Sequence, residues 1–304
     1  MPSMESLKAK ISSIEDLQSV VRTMKALAAV NIRQYEKAVE SLAEYNRTIE
    51  MGLQIVLRER YLADKSILSS SVIANKSFFI SRIGAIIFGS DQGLCGQFNE
   101  QIVSYAVAEL DRLQIKSENR LIAAVGARLI PHLEASGQSL LSPFSLPSSV
   151  KGITAIVQEI LLTIEQWRTQ QQIEQLVLFY NKSLAGAAYH PHTLNLLPVN
   201  PDWLQSLEQQ AWNSPVLPTF TMDWQQLFSA LIYQYLFISL YRACAESLAS
   251  ENASRLSSMQ AAEKNIADRL AVLNAEYRYQ RQSTITAEML DIVAGFVALT
   301  ESNP

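Results

Sequence analysis

The residues best placed for chemistry are glycines, cysteines and histidines in the middle of the chain. Gly89-Ser90-Asp91-Gln92-Gly93-Leu94-Cys95-Gly96 has the composition of a loop that wraps a phosphate with backbone N–H groups. Its G-x3-G-x2-G spacing matches neither the dinucleotide fingerprint nor the phosphate loop that ends in Lys-Ser/Thr, so it reads as a tight strand-to-helix turn. Cys95 would be activated by the N-terminus of the helix that follows, but no base stands beside it, and a structural role is expected. His190-Pro191-His192 is the only histidine cluster, with His132 far away and no Cys or carboxylate within a few residues, so it reads as a loop and not as a metal site. Cys95 and Cys244 form no C-x-x-C pattern, which argues against a disulfide framework or a structural zinc and makes a reducing compartment the default. No G-x-S-x-G or H-E-x-x-H spacing occurs. The expectation is a chain without catalytic, cofactor-binding or metal residues.

The elements that must position these residues are marked by where glycine and proline fall. From Ser3 to Val72 there is no proline and one glycine, Gly52; from Thr219 to Asn303 there is no proline and one glycine, Gly295. Because these residues are the main helix breakers, both ends are predicted to be long uninterrupted helices. In the first, steps of four and three land on Leu7, Ile11, Ile14, Gln18, Val21, Lys25, Ala28, Ile32, Tyr35, Val39, Leu42, Asn46, Ile49, Leu53 and Val56. Twelve of the fifteen are apolar, a 3.5-residue period that marks a coiled coil and not an ordinary surface helix. The last segment repeats the pattern from Leu227, Leu231, Ile238, Tyr241, Ala245 and Leu248 through Met259, Ala262, Ile266, Leu270, Leu273 and Tyr277. After a phase shift it continues through Ile285, Met289, Ile292, Phe296 and Leu299. The two helices are expected to pair with each other. Polar intruders at Gln18, Lys25, Asn46, Asn252 and Arg255 either set the register or face a second protein.

Between the helices, Phe78 to Phe88, Leu121 to Val125, Leu176 to Tyr180 and Thr193 to Leu197 read as strands, and Gln97 to Ile115 and Val150 to Arg168 as helices. Strands alternating with helices predict a largely parallel sheet, so the fold class is α/β: a long antiparallel coiled coil with an inserted Rossmann-like domain. The expected boundaries are 1–65 for the first helix, 75–200 for the α/β domain, 201–222 for a linker and 223–300 for the last helix. With 25 basic against 29 acidic residues, the formal charge of −4 disfavours nucleic acid as a partner. The apolar window Leu227 to Tyr241 is broken by Ser229, Gln234 and Ser239 and closed by Arg242, so it reads as a buried helix face and not a membrane span. Met1 to Ser13 has no apolar stretch after Lys8 and Lys10 and is short of arginine, so it reads as a mature start.

Several segments together carry a family resemblance. Ser90-Asp-Gln-Gly-Leu-Cys-Gly-Gln-Phe-Asn99, the helix from Ala249-Ser-Glu-Asn-Ala-Ser-Arg255 to Asn265, and Gln282-Ser-Thr-Ile-Thr-Ala-Glu-Met-Leu-Asp-Ile-Val-Ala-Gly295 resemble, in order, three motifs of the gamma subunit of rotary F-type ATP synthases. Val21 to Ala29 and Tyr180-Asn-Lys-Ser183 extend the likeness over almost the whole chain. The resemblance implies a non-catalytic rotor shaft, peripheral on the cytoplasmic or stromal face of an energy-transducing membrane. Its implied partners are the alpha and beta subunits of the catalytic head, an epsilon subunit and the membrane c-ring. Met24 falls on the family's methionine that faces the acidic lever of the catalytic subunits, and Arg255, Gln282, Thr286, Glu288 and Asp291 on its ring-contacting positions, with Lys25 beside Met24 counted as a further contact.

The chain departs from the family pattern at Glu15-Asp16 and Val30 to Gln34, where basic residues are common. It departs again at Gln97 and Phe296, where small residues are usual. These departures imply a divergent branch, such as the alternative, sodium-coupled synthases. From other function classes, a nucleotide-dependent α/β enzyme with coiled-coil oligomerisation arms and an unrelated coiled-coil adaptor stay open.

Overall fold

A computed structural model describes residues 3–63, 82–183, 188–212, 215–216 and 218–301, with the side chains of all but 60–63, 140 and 298–301. The chain divides into two compact units, Met1–Leu27 with Leu256–Pro304, and Ala28–Arg255. Two helices run through both: α1, Met4–Ala63, and α6, Trp224–Glu301. Each starts on a side-chain cap. Ser6 N donates to Ser3 Oγ (3.2 Å), and Gln225 N and Gln226 N donate to Asp223 Oδ1 (3.0 and 3.2 Å).

In the larger unit, a five-stranded sheet has the order β3-β2-β1-β4-β5, from β1 (Ile83–Phe88), β2 (Arg120–Val125), β3 (Leu140–Phe144), β4 (Gln175–Ser183) and β5 (Tyr189–Leu197). β1 pairs in parallel with β2 and β4, and β2 with β3, while β4 and β5 are antiparallel. The parallel centre needs cover on both faces, and β1 accordingly alternates. Ile86 and Phe88 point to a core shared with α4 (Ile153–Gln170), α5 (Pro201–Gln209), α1 and α6. Ile83, Ala85 and Ile87 point to a second core under α2 (Phe98–Arg112) and α3 (Ile130–Ala135).

The structure adds to or corrects several expectations. β3 carries Pro143 and was not foreseen; at a sheet edge the missing N–H of proline is tolerated. His190-Pro191-His192, expected in a loop, lies in β5, the other edge strand, with Pro191 opposite Asn181. Within 201–222, read as linker, Pro201–Gln209 is a helix, because Asn200 caps it through Asp202 N and Trp203 N and Pro201 presets its first turn. The part of the first expected strand from Phe78 to Ser81 lies outside the described residues.

All fifteen positions of the first seam are buried or half-buried. Inside the larger unit the helices are antiparallel: Asn31 Nδ2 donates to Asn252 Oδ1 (3.3 Å), Tyr45 Oη to Gln234 Oε1 (2.8 Å) and Trp224 Nε1 to the Val56 carbonyl (2.9 Å). By length and composition α6 is apolar enough to cross a membrane. Its Phe228, Ile232, Leu236, Ile238 and Leu240 are nevertheless buried in the core with α1 and the sheet.

Candidate functional site

The glycine-rich loop is closed by its own side chains. Asn99, in the first turn of α2, accepts from Ser90 N (2.9 Å) and donates through Nδ2 to Ser90 Oγ (2.8 Å). Gly89 lies so close to this pair that an added Cβ would stand 2.4 Å from Leu129 and 2.7 Å from Asn99 Oδ1. Gly96 takes the left-handed conformation (φ +59) needed to enter α2. Asp91 fastens the loop to its neighbours, with Oδ1 accepting from Ala127 N (2.8 Å) and Oδ2 from Leu146 N (2.7 Å). Cys95 is buried, its thiol near Ser90 Oγ (3.5 Å).

What the loop presents inward is carbonyl oxygen, and α6 supplies the donors. Ser254 Oγ donates to the Cys95 carbonyl (2.6 Å), and Arg255 donates to the carbonyls of Gln92 (3.3 Å) and Gly93 (3.4 Å) and to Glu251 Oε1 (2.6 Å). Arg255, expected at a partner surface, is thus buried against its own chain, with its side chain 8 % exposed. Burial pushes the Glu251 carboxyl above its ordinary range, and the Arg255 guanidinium opposes that shift.

Met24 and Lys25 belong to the smaller unit. Met24 is half-buried beside a cluster of Val21, Met259 and Ile266, flanked by Ile14, Ala262 and Leu270. Lys25 is ion-paired with Glu263, whose other oxygen accepts from Arg22 Nε (3.2 Å), and Lys25 first and Arg22 second hold the Glu263 carboxyl below its usual range. In this antiparallel register the start of α1 at Met4 is reached near Gln282, and α6 continues to Glu301. From Arg281 to Val297 every residue is exposed, including Gln282, Thr286, Glu288 and Asp291. The expected seam positions Ile285, Met289, Ile292 and Phe296 are therefore unburied, because α1 ends before it can cover them. The side chain of Leu299 lies outside those described. Thr286 Oγ1 turns back to the Gln282 carbonyl (2.9 Å), and the four polar residues lie along a bare helix and form no cluster.

Comparison with known proteins decides what this arrangement belongs to. The family model described as ATP synthase matches residues 3–299. The chain belongs to the ATP synthase gamma-chain family. Among curated relatives, the ATP synthase gamma chain of Campylobacter concisus is 27% identical over 300 residues, covering 97% of this chain and 98% of that one. The gamma chain of Polynucleobacter asymbioticus is 24% identical over 299 residues, covering 98% of this chain and all of that one. Of solved structures, a chain of the Euglena gracilis mitochondrial ATP synthase OSCP/F1/c-ring assembly in rotational state 3 has a TM-score of 0.58 at 18% identity, over 97% of this chain and 94% of that one. A chain of the rotor of the same organism's enzyme in rotational state 1 gives 0.54 at 15% identity, over 93% and 98%. As a member of this family the chain is a subunit of the membrane-associated ATP synthase complex.

Reasoning from sequence missed Glu263, Ser250, Ser254 and the loop-closing Asn99. Asn99 had a local signal, since a short polar side chain just inside a helix that follows a glycine loop is placed to fold back on it. Glu263 had none, because its partners are more than 230 residues away in sequence.

Proposed function

We propose that the chain carries no catalytic residue and transmits torque between the catalytic alpha and beta subunits and the membrane c-ring, with an epsilon subunit at its foot. Its rotation couples ion flow to ATP synthesis or hydrolysis, on the cytoplasmic or stromal face of the membrane. The observation that carries this reading is the end of α6, where Ile285, Met289, Leu290, Ile292 and Val293 are all more than half exposed. A helix apolar on several sides is stable only inside a protein or within a sleeve of other chains. Leu17, Val20, Leu27 and Val30 give α1 a second exposed stripe besides its buried seam, as a shaft turning in an apolar bearing requires. Met24, Lys25, Gln282, Thr286, Glu288 and Asp291 meet the catalytic ring, and Arg255 acts from behind the loop it supports. The departures at Glu15-Asp16, Gln97 and Phe296, together with identities in the twenties, support a divergent branch.

A nucleotide enzyme would bind its ligand beyond the carboxyl ends of the parallel strands. That space holds Asp91, Ser254 and Arg255, bonded to the loops themselves. Co-purification of the tagged chain with a hexamer of nucleotide-binding subunits, identified by mass spectrometry, is the expected result. Recovery of the chain without them, with stoichiometric binding of ATP or NAD, overturns the proposal.

A further inference from the structure

Between Glu246 and Arg255, α6 is buried on every side, yet seven of its ten side chains there are polar or charged. A segment selected for stability alone would be apolar, since buried polar groups that lack partners are costly. Here Arg255 Nε and Ser247 Oγ find no acceptor or donor among the described residues, and on the facing strand Asn181 Oδ1 is left over as well. In some proteins buried polar or ionic groups of this kind choose one arrangement over others, at a cost in stability.

The alternatives they choose between are visible in the bonding pattern. Ser250 Oγ donates to the Asn181 carbonyl on β4 (2.9 Å), Ser254 Oγ to the Cys95 carbonyl, and Arg255 to those of Gln92 and Gly93. Four residues is close to one helical turn, so sliding α6 by about 6 Å presents nearly the same face with each residue replaced by its neighbour four positions away. Serine recurs at that interval, at Ser250, Ser254 and Ser258, so the bond at the Ser254 position survives a slip in either direction, and the bond at the Ser250 position survives only the slip that brings Ser254 there, the other bringing Glu246. Arginine does not recur. A slip one way sets Glu251 against the carbonyls of Gln92 and Gly93, oxygen against oxygen, and a slip the other way sets Met259 there, leaving them without a donor.

We propose that the ordered pair Glu251 and Arg255 is a register key, which holds the α/β layer at one axial and angular setting on α6 so that it turns with the helix instead of slipping along it. The key rests on the rotor reading for its consequence, since only a turning shaft loads this joint. Both are positioning residues.

The test uses sealed membrane vesicles containing the assembled complex, in which the full chain carries either Glu251→Met with Arg255→Met or the exchange Glu251→Arg with Arg255→Glu. The methionine pair keeps bulk and removes polarity, so the thermal midpoint of the chain is expected at or above the parent's. Ions pumped per ATP hydrolysed are expected to fall roughly twofold or more, with a larger fall for the exchanged pair, which retains the ion pair but turns its carboxylate toward the loop. Ser250→Ala is the control and leaves the pumping ratio close to the parent's. Amide exchange in residues 89–99 is expected to rise in both double variants. Parent-like pumping and parent-like exchange in the methionine pair overturn the key, as does a pumping loss that only follows a lowered thermal midpoint. If the parent chain fails to join a nucleotide-binding hexamer, the rotor reading falls, while the exchange comparison on the full chain alone still decides the key.

Discussion

Two stretches of α6 are similarly rich in apolar residues and have opposite fates. Ala243 to Arg255 is buried at every residue, whereas Arg281 to Val297 is exposed at every residue. The first is packed against α1 and the sheet, so its polar groups must find partners inside the chain, and most of them do. The second lies beyond the start of α1, and Ile285, Met289, Leu290, Ile292 and Val293 there are each more than half exposed. The same helix propensity gives a buried joint in one place and an exposed surface in the other, and only the neighbours differ.

The largest effect that separates the two stretches comes from removing side-chain volume. Leu240, fully buried at the entrance to the first, is expected to cost about 2–5 kcal/mol on truncation to alanine. Phe296→Ala in the second should leave stability within about 0.5 kcal/mol of the parent, as for an exposed site. Chemical denaturation of the two variants measures the difference, and equal losses would break the comparison.

Alkali separates them next. Burial, with the Glu251 charge adding to it, pushes the Cys244 thiol up to about 12, and burial likewise holds the Tyr35 phenol at about 12. Both groups keep their protons in the folded chain after the unfolded chain has lost them. Stability therefore falls as pH rises from about 9 toward 12, by about 1.4 kcal/mol per pH unit for each group once its unfolded form ionises. Thermal melts across that range are expected to drop steeply, with Cys244→Ala flattening the part between about pH 9 and 10. His192 has the opposite sign. Burial first, and Lys182 next, lower its pKa, so the folded chain binds its proton less readily and loses stability as pH falls below the ordinary histidine value.

Met24→Lys tests the bearing itself. On the contact proposed for Met24, a new ammonium beside an acidic lever resists turning by a few kcal/mol, so vesicles carrying it are expected to hydrolyse ATP while pumping far fewer ions per ATP than the parent. Pumping at the parent ratio would remove Met24 from that contact. The smallest effects belong to the exposed tip, where Glu288→Ala or Phe296→Ala is expected to slow turnover by about 1 kcal/mol or less, because the proposed sleeve would act through many weak contacts. The tip and the α1 stripe are also expected to make the lone chain associate in solution. Light scattering that shows a clean monomer at high concentration would argue that neither surface needs a cover.

The sequence by itself determined the two long helices, through the absence of glycine and proline, and the seam of α1, because a 3.5-residue period is a one-dimensional signal that needs no partner to be read. It also determined the strand-helix alternation and, through short motifs in order, the family. It mistook His190-Pro191-His192 for a loop and passed over β3, since an edge strand with proline differs from a loop only by the strand lying next to it. It left Arg255 open between setting the register and facing a second protein for a related reason: a charged residue on a helix looks the same in sequence whether it faces water or two carbonyls and a carboxylate of its own chain. That Glu263 answers Lys25, that Ser254 answers Cys95, and that α6 outlasts α1 were decided by tertiary structure alone. Each depends on which distant segments meet, and the pairing of antiparallel helices is set by the summed packing of the whole seam and not by any residue's own preference.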